Sequence, residues 1–525
     1  MATSSETTTV AAAAPASRAH SYGRILKSSA LIGGSSVVNV LVSMVRVKFT
    51  AVYLGTFGVG LLGAYSSILS PVSTLASMGL GASGVRQIAE AVGKNDQLAV
   101  SRTLLTVRRA CLATGIFGML LMVALAYPAS LYTFGKTDEL WTHFWALCIL
   151  STTILIHSLG GGFGAIIQGM RRIKDMAAQG IIGALLSLPI CIPLMIWLRV
   201  DSVVPMMVLS AAAGTVITWM FARRIQVHPV NMTWRESWEL ARPLLKLGLT
   251  LTATSLISLG VTYLIRLIII RKLGLDANGI YSAAWMLSGY YVNIILGAMG
   301  ADFYPRLTEV HNNHAEVNRL VNEQTIVGLL IALPGVVATL TMAPLVIHIF
   351  YTIKFLDAVP VLQWMVLGVA LRVITWPMGF ILVAKSAKRM YLYTELVTNL
   401  LWIILTYAAV QLWGLKGTGI AFFGMYIFYL GLMLAVTRRV VGFKWTAYTL
   451  RVVLLSLAVF AFIFTIAQHL TFIYSAIIGT ITAAATALYS LRELTRLIGR
   501  NPLTIFWQKL QNNLPTVANG DKMKE

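Results

Sequence analysis

Apolar residues run along most of this chain in stretches of membrane-spanning length, separated by short polar connections. The first, Ser28 to Gly55, is long enough to cross a bilayer as a helix, which takes about 20 mostly apolar residues. Further stretches begin near Val59, Thr103, Trp141, Met176, Val203, Leu247, Ala277, Asn322, Leu356, Met390, Gly417, Val452 and Thr471, so the pattern predicts about 14 transmembrane helices. None alternates strictly between apolar and polar residues, and all are far longer than a strand, which excludes an outer-membrane barrel. The expected fold class is an all-α membrane protein.

The polar positions inside these helices are few and patterned. In the first, Ser36, Asn39, Ser43, Arg46 and Thr50 share one face at helical spacing. A charge within a spanning helix costs about 2.5–3.5 kcal/mol on insertion scales, so this stripe should avoid lipid. Lys48 points roughly the opposite way, where it either serves the same purpose or snorkels to the interface. In helix 7, Ser255, Ser258, Thr262 and Arg266 repeat the theme of small polar residues leading to an arginine.

The sequence repeats itself. LGTFGVGLLGAYSSIL from Leu54 aligns with LGLDANGIYSAAWMLS from Leu273, MRRIKDM from Met170 with AKSAKRM from Ala384, and FARR ending at Arg224 with VTRR ending at Arg439. The offsets are nearly equal, so helices 1–6 and 7–12 read as two copies of one lobe. An even number of helices per copy keeps the orientation, which makes the repeats parallel with a site expected between them. The expected division is a disordered cytoplasmic N-terminus (1–27), an N-lobe (28–224), a cytoplasmic linker (225–246), a C-lobe (247–439), two additional helices (440–491) and a basic cytoplasmic tail (492–525).

Composition agrees with this picture. The 525 residues are 57% hydrophobic and 11% charged, with mean hydropathy +0.77, values of a polytopic membrane protein rather than a large soluble enzyme. The net charge of +22 gathers in loops after even-numbered helices, such as Arg171, Arg172 and Lys174, or Lys385, Lys388 and Arg389. That places those loops and both termini in the cytoplasm and removes the reason to expect a nucleic-acid partner. Arg271 and Lys272, at an odd-numbered exit, are expected to snorkel. The first apolar run follows Arg18, Arg24 and Lys27 and is too long and polar for a signal peptide. Cys111, Cys148 and Cys191 lie in apolar stretches without metal-ligand spacing. No Walker lysine loop and no His-Glu-x-x-His pattern is present, so no enzyme activity, cofactor or metal is expected.

Three runs carry a family resemblance: LQWMVLGVALRVITWPMGFILVAKSAKRMYLYTEL (Leu362–Leu396), ADFYPRLTEV (Ala301–Val310) and KFTAVYLGTFGVG (Lys48–Gly60). Their order resembles the Wzx-type O-antigen and polysaccharide flippases of the multidrug, oligosaccharidyl-lipid and polysaccharide exporter superfamily. The resemblance implies two six-helix lobes forming a V around a cationic cavity. It implies flipping of undecaprenyl-diphosphate-linked oligosaccharide from the inner to the outer leaflet of the bacterial inner membrane. It also implies a polysaccharide polymerase or chain-length complex as partner. Lys48 and Arg372 occupy positions where that family tends to carry a cation, Glu395 lies in its Ala/Thr-Glu pattern, and Pro305 in its Pro-x-Leu-Ser/Thr pattern. Val369 stands where some relatives are acidic, so no role passes to that position.

Candidate roles follow from chemistry. Arginine forks match phosphate oxygens, which makes Arg46, Arg266 and Arg372 candidate diphosphate ligands with Lys48 beside them. The rival for Arg46 is an ion pair with a carboxylate such as Asp302. Asp302 and Glu395 either couple an ion or form structural pairs. Tyr281, Trp285, Tyr290 and Tyr291 either stack on sugars or belong to an interfacial aromatic belt, and Asn39 is a candidate sugar contact. Helix 2 carries Ser66, Ser70, Ser73, Ser77, Gly81 and Gly84 on a small face that suits close packing. A cation-coupled drug exporter of the same fold is the main alternative, and intramembrane arginines rather than carboxylates favour an anionic substrate. A membrane-embedded glycosyltransferase would need a large extramembrane loop, which the short connections lack.

Overall fold

The computed structural model describes residues 15–94, 96–225 and 229–498. The expected N-terminal segment lies partly, and the basic tail mostly, outside the described residues. All elements among the described residues are helical. Ten helical stretches are long and apolar enough to cross a membrane, and the chain is a multi-pass membrane protein. As a count they differ from the fourteen expected spans. Gly34–Gly93 and Ile173–Arg223 each run through a break, and the long helix Trp234–Glu309 is not among the ten.

The chain divides into two compact units, Met1–Gly279 and Ile280–Glu525. In the first unit, α1 (Pro15–Ser77) bends at Gly55 (φ 65°, ψ −166°), and α7 (Trp234–Glu309) bends at Gly274 (φ 89°, ψ 177°). These are aligned positions of the internal repeat. A positive φ favours glycine, so at both positions one helix turns into the next without a loop. The remaining helices of the unit are α2 (Leu80–Gly93), α3 (Gln97–Phe134), α4 (Leu140–Gly169), α5 (Ile173–Leu198) and α6 (Val203–Arg223). Leu54, Tyr65, Ile68, Met122, Leu147, Leu150 and Met195 form one core. Leu80, Ile88, Leu104, Val107, Ile166 and Phe221 form another nearer the basic end. The outward faces keep large apolar residues such as Leu41, Leu120 and Trp197 exposed, as a lipid solvent permits.

The same unit contains a helix crossing with no side chain between the backbones. A Cβ on Gly60 would collide with the Leu275 carbonyl, and one on Gly279 would collide with the Thr56 carbonyl. Gly60 and Gly279 are aligned in the repeat, and so are Thr56 and Leu275. The crossing is therefore pseudo-symmetric: equivalent glycines receive equivalent carbonyls, the close approach that small residues allow in membranes.

In the second unit α9 (Ala358–Ala384) is the most buried helix, packed by α8 (His314–Phe350) and α11 (Lys416–Val441), with α10 (Lys388–Trp413) against α11. The last two helices, α12 (Ala447–His469) and α13 (Phe472–Ile498), pack on α8. Buried Gln363 binds them in: it donates to Leu340 O (2.9 Å) and accepts from Gln468 Nε2 (2.8 Å). An amide in a bilayer needs such partners, because lipid offers none.

The start of α7 shows how local sequence sets a boundary. Thr233 and Glu236 form a capping box: the Thr233 N–H donates to Glu236 Oε2 (2.7 Å) and the Glu236 N–H to Thr233 Oγ1 (3.3 Å). The bond from the Thr233 backbone N–H, and after it the Thr233 side chain, holds the Glu236 carboxyl below the usual carboxylate range. A depressed folded-state value stabilises the cap above the unfolded value, and that stability disappears as pH falls through the folded one. Amide-exchange protection over Trp234–Trp238 is expected to decline below the ordinary glutamate range in wild type and to lose that pH dependence in Glu236→Gln.

The glycine crossing gives a second test. Gly60→Ala and Gly279→Ala force backbones apart and are expected to lower the thermal unfolding midpoint of the purified protein by several degrees. Gly161→Ala, where a Cβ meets open space, is expected to be neutral or stabilising.

Candidate functional site

In the first unit the polar stripe of α1 lies against α5. The Asn39 amide is beside Gly180, where an added Cβ would come within 3.4 Å of it. Thr50 Oγ1 contacts Met195 Sδ (3.8 Å) and donates to the Arg46 carbonyl (2.8 Å). Arg46 lies on the same face between these two contacts, yet its side chain is exposed. Among the described residues its guanidinium has neither a hydrogen bond nor an ion pair. Asp302 is exposed and pairs with Arg306 one turn along its own helix (3.1 Å). Lys48 is half-buried on the other side of α1.

Arg266 has a different environment. It is buried and donates through Nη1 to Asn278 Oδ1 (3.1 Å). Asn278 is fully buried, and its amide donates to the Gly60 carbonyl (2.6 Å). The guanidinium is thus wired into the glycine crossing. Neighbouring bonds reinforce it: Thr56 to Asp276, Tyr263 to Thr133 (3.0 Å), and Arg271 to the carbonyls of Tyr132 (2.6 Å) and Leu131 (3.0 Å) at the end of α3. Arg271 therefore caps a helix end instead of only snorkelling.

In the second unit Arg372 Nη1 donates to Asn293 Oδ1 (3.1 Å), and Arg372 is half-buried. Trp285 stacks on Tyr281 (6.0 Å between centroids) and on Trp402 (5.7 Å), with the Phe422 edge against it. Tyr281 is buried within this stack, whereas Trp285 and Tyr290 are half-buried. The Tyr291 side chain lies outside the described ones. Glu395 is half-buried and accepts from Asn399 Nδ2 (3.5 Å), which also donates to the Glu395 carbonyl (2.8 Å). Among the described residues no cluster of His, Cys, Asp or Glu could hold a metal ion.

Sequence reasoning found the arginines but missed Asn278 and Asn293, the amides that hold Arg266 and Arg372. Asn293 is an isolated asparagine in an otherwise apolar run, and in lipid such a residue signals a hydrogen-bonded partner, whereas Asn278 follows the polar turn at Arg271, Lys272 and Asp276 and gives no such signal.

These environments separate the two first-unit arginines by experiment. Arg266→Ala removes a charged hydrogen bond to the buried Asn278 amide, a loss of about 1.5–3 kcal/mol, and is expected to lower the unfolding midpoint. Arg46→Ala removes no contact and is expected to change stability by less than about 0.5 kcal/mol. Thermal unfolding of both purified variants checks this.

A family model described as "Polysaccharide biosynthesis protein" matches residues 56–360. The chain is 22% identical over 428 residues to the lipid III flippase of Escherichia coli (strain K12), covering 78% of this chain and 97% of that one. The corresponding Shigella flexneri protein matches equally. Among solved structures, the lipid II flippase MurJ in an inward closed conformation superposes with TM-score 0.61 at 15% identity, covering 89% of this chain and 99% of that one. An inward-facing multidrug resistance MATE family transporter of the MOP superfamily superposes with TM-score 0.59 at 16% identity, covering 75% and 94%. The fold is that of this transporter superfamily, and the chain belongs to the polysaccharide biosynthesis protein family whose model spans more than half of it.

Proposed function

We propose that this protein is a flippase that moves an undecaprenyl-diphosphate-linked oligosaccharide, an O-antigen or exopolysaccharide repeat unit, from the inner to the outer leaflet of the bacterial plasma membrane by alternating access. The observation that carries the reading is Arg46. It is an exposed guanidinium with no carboxylate bonded to it among the described residues, on a helix of membrane-spanning length, in a chain of the polysaccharide biosynthesis family. A charge kept in a membrane helix without a structural partner calls for a ligand of opposite sign. A diphosphate supplies it, and the arginine fork fits its oxygens.

The need for a protein is physical. Each sugar hydroxyl taken into an apolar medium without a partner costs about 2–7 kcal/mol, so an oligosaccharide cannot cross a bare bilayer. In this proposal the lobes are 28–224 and 247–439, and both termini are cytoplasmic. Arg46 is the principal diphosphate ligand and Lys48 and Arg372 are further cations. Asn39, Trp285 and Tyr290 face sugars. Arg266 contributes through the conformation it holds. No bond is made or broken in the substrate, and a polysaccharide polymerase or chain-length complex receives the product. The relatives named as lipid III and lipid II flippases support the substrate class.

One observation favours the alternative of a cation-coupled drug exporter. Glu395 is a half-buried carboxylate in α10 with an amide and no cation bonded to it among the described residues, and MATE transporters share the fold.

The test is leaflet accessibility of the lipid-linked oligosaccharide in cells depleted of the protein and then complemented. Accumulation on the inner leaflet, cleared by wild type but at most a tenth as fast by Arg46→Ala, supports the proposal. No accumulation on depletion refutes it. If efflux of organic cations then falls in Glu395→Gln, the exporter reading replaces it.

A further inference from the structure

At the basic end of the first unit, away from the residues discussed so far, α3, α4 and the start of α7 enclose a cavity of about 220 Å³. Its walls include Leu112, Leu159, Phe163 and Trp234, and its polar lining residues are Arg108 and Arg109. Arg109 is committed to structure. Its Nη1 donates to the carbonyls of Met232 (2.8 Å) and Thr233 (3.1 Å) and to Ser237 Oγ (2.8 Å). Its guanidinium lies 5.0 Å from the Trp234 ring centroid. Together with the Thr233–Glu236 capping box, these bonds fix the indole as one wall. Arg108 is exposed. It lies 6.0 Å from the Phe163 ring centroid, and among the described residues it has no hydrogen bond or ion pair.

The surface of the cavity is thus almost wholly apolar, and the exposed Arg108, one of its lining residues, carries the cation nearest to it that is not bonded among the described residues. Its depth in the membrane is set by the sequence. Residues 110–134 of α3 carry no charge and follow directly on Arg108 and Arg109, so these arginines mark the polar edge of the apolar layer. Trp234 and Trp238, both more than half exposed, are the amphipathic rings expected at that level. Basic pockets between transmembrane helices at this depth suit anionic lipid headgroups.

We propose that this cavity binds an anionic phospholipid, with the phosphodiester on Arg108 and the upper acyl chain between Leu112, Leu159, Phe163 and Trp234. One free guanidinium matches one phosphate charge. A polyprenyl diphosphate carries more charge than this cavity offsets, which separates the site from the proposed transport substrate. The inference does not depend on the transport reading.

The test is lipid titration of the detergent-purified full-length protein followed by native mass spectrometry. The probes are phosphatidylglycerol, phosphatidylcholine, undecaprenyl phosphate and inorganic phosphate. Wild type is expected to bind one phosphatidylglycerol in preference to phosphatidylcholine. Arg108→Gln is expected to weaken that binding about tenfold, and Arg108→Lys to weaken it less. Arg235→Gln, which alters a nearby exposed cation, serves as the control and should not change it. Equal binding of both phospholipids, or undiminished phosphatidylglycerol binding by Arg108→Gln, would overturn the proposal. So would displacement by inorganic phosphate, which would mark a free-anion site, or tighter Arg108-dependent binding of undecaprenyl phosphate, which would assign the cavity to a polyprenyl phosphate instead of a phospholipid.

Discussion

The contact between Gly60 and Gly279 constrains much of the first unit. Two helix backbones meet there without intervening side chains, and lipid supplies no hydrophobic drive to bring them together. What remains is van der Waals packing and hydrogen bonding. Both are present: the glycines allow the approach, and Asn278 reaches across to the Gly60 carbonyl. Arg266 then satisfies the Asn278 oxygen. The positive charge there has a structural purpose, since it bonds a fully buried amide.

This explains why two arginines of similar sequence context differ. Arg46 and Arg266 both lie on a helix face among small polar residues. Arg266 is wired into the crossing, while Arg46 emerges beside α5 without a partner. The repeat is thus symmetric in its backbone and asymmetric in its charges. Duplication supplies the glycine hinges at Gly55 and Gly274 and the glycine crossing. The charges differ between the copies: Arg266 is bonded at the crossing, whereas Arg46 is exposed.

The same principle, that a buried polar group in lipid must find a partner within the protein, accounts for the second unit and the basic end. Gln363 binds Gln468 and Leu340 and so ties the last helices to α8 and α9. Arg109 spends its bonds on the linker, whereas Arg108 next to it stays available. Adjacent arginines with identical chemistry acquire different uses because one faces carbonyls and the other faces an apolar slot.

Much of this was legible in the residues. Apolar runs of membrane length identify a helical membrane protein, because only closed hydrogen bonding survives in lipid. The aligned segments at Leu54 and Leu273 reveal the duplication, and intramembrane arginines mark the positions where chemistry concentrates. The tertiary structure alone decided that Arg266 is bonded to Asn278, that Tyr281 is buried in an aromatic stack, and that Asp302 pairs with Arg306. It also decided that spans meet at Gly55 and Gly274 without a loop. The reason is that spacing along a helix fixes which face a side chain occupies. Whether that face meets a carbonyl, another ring or open space depends on helices distant in sequence.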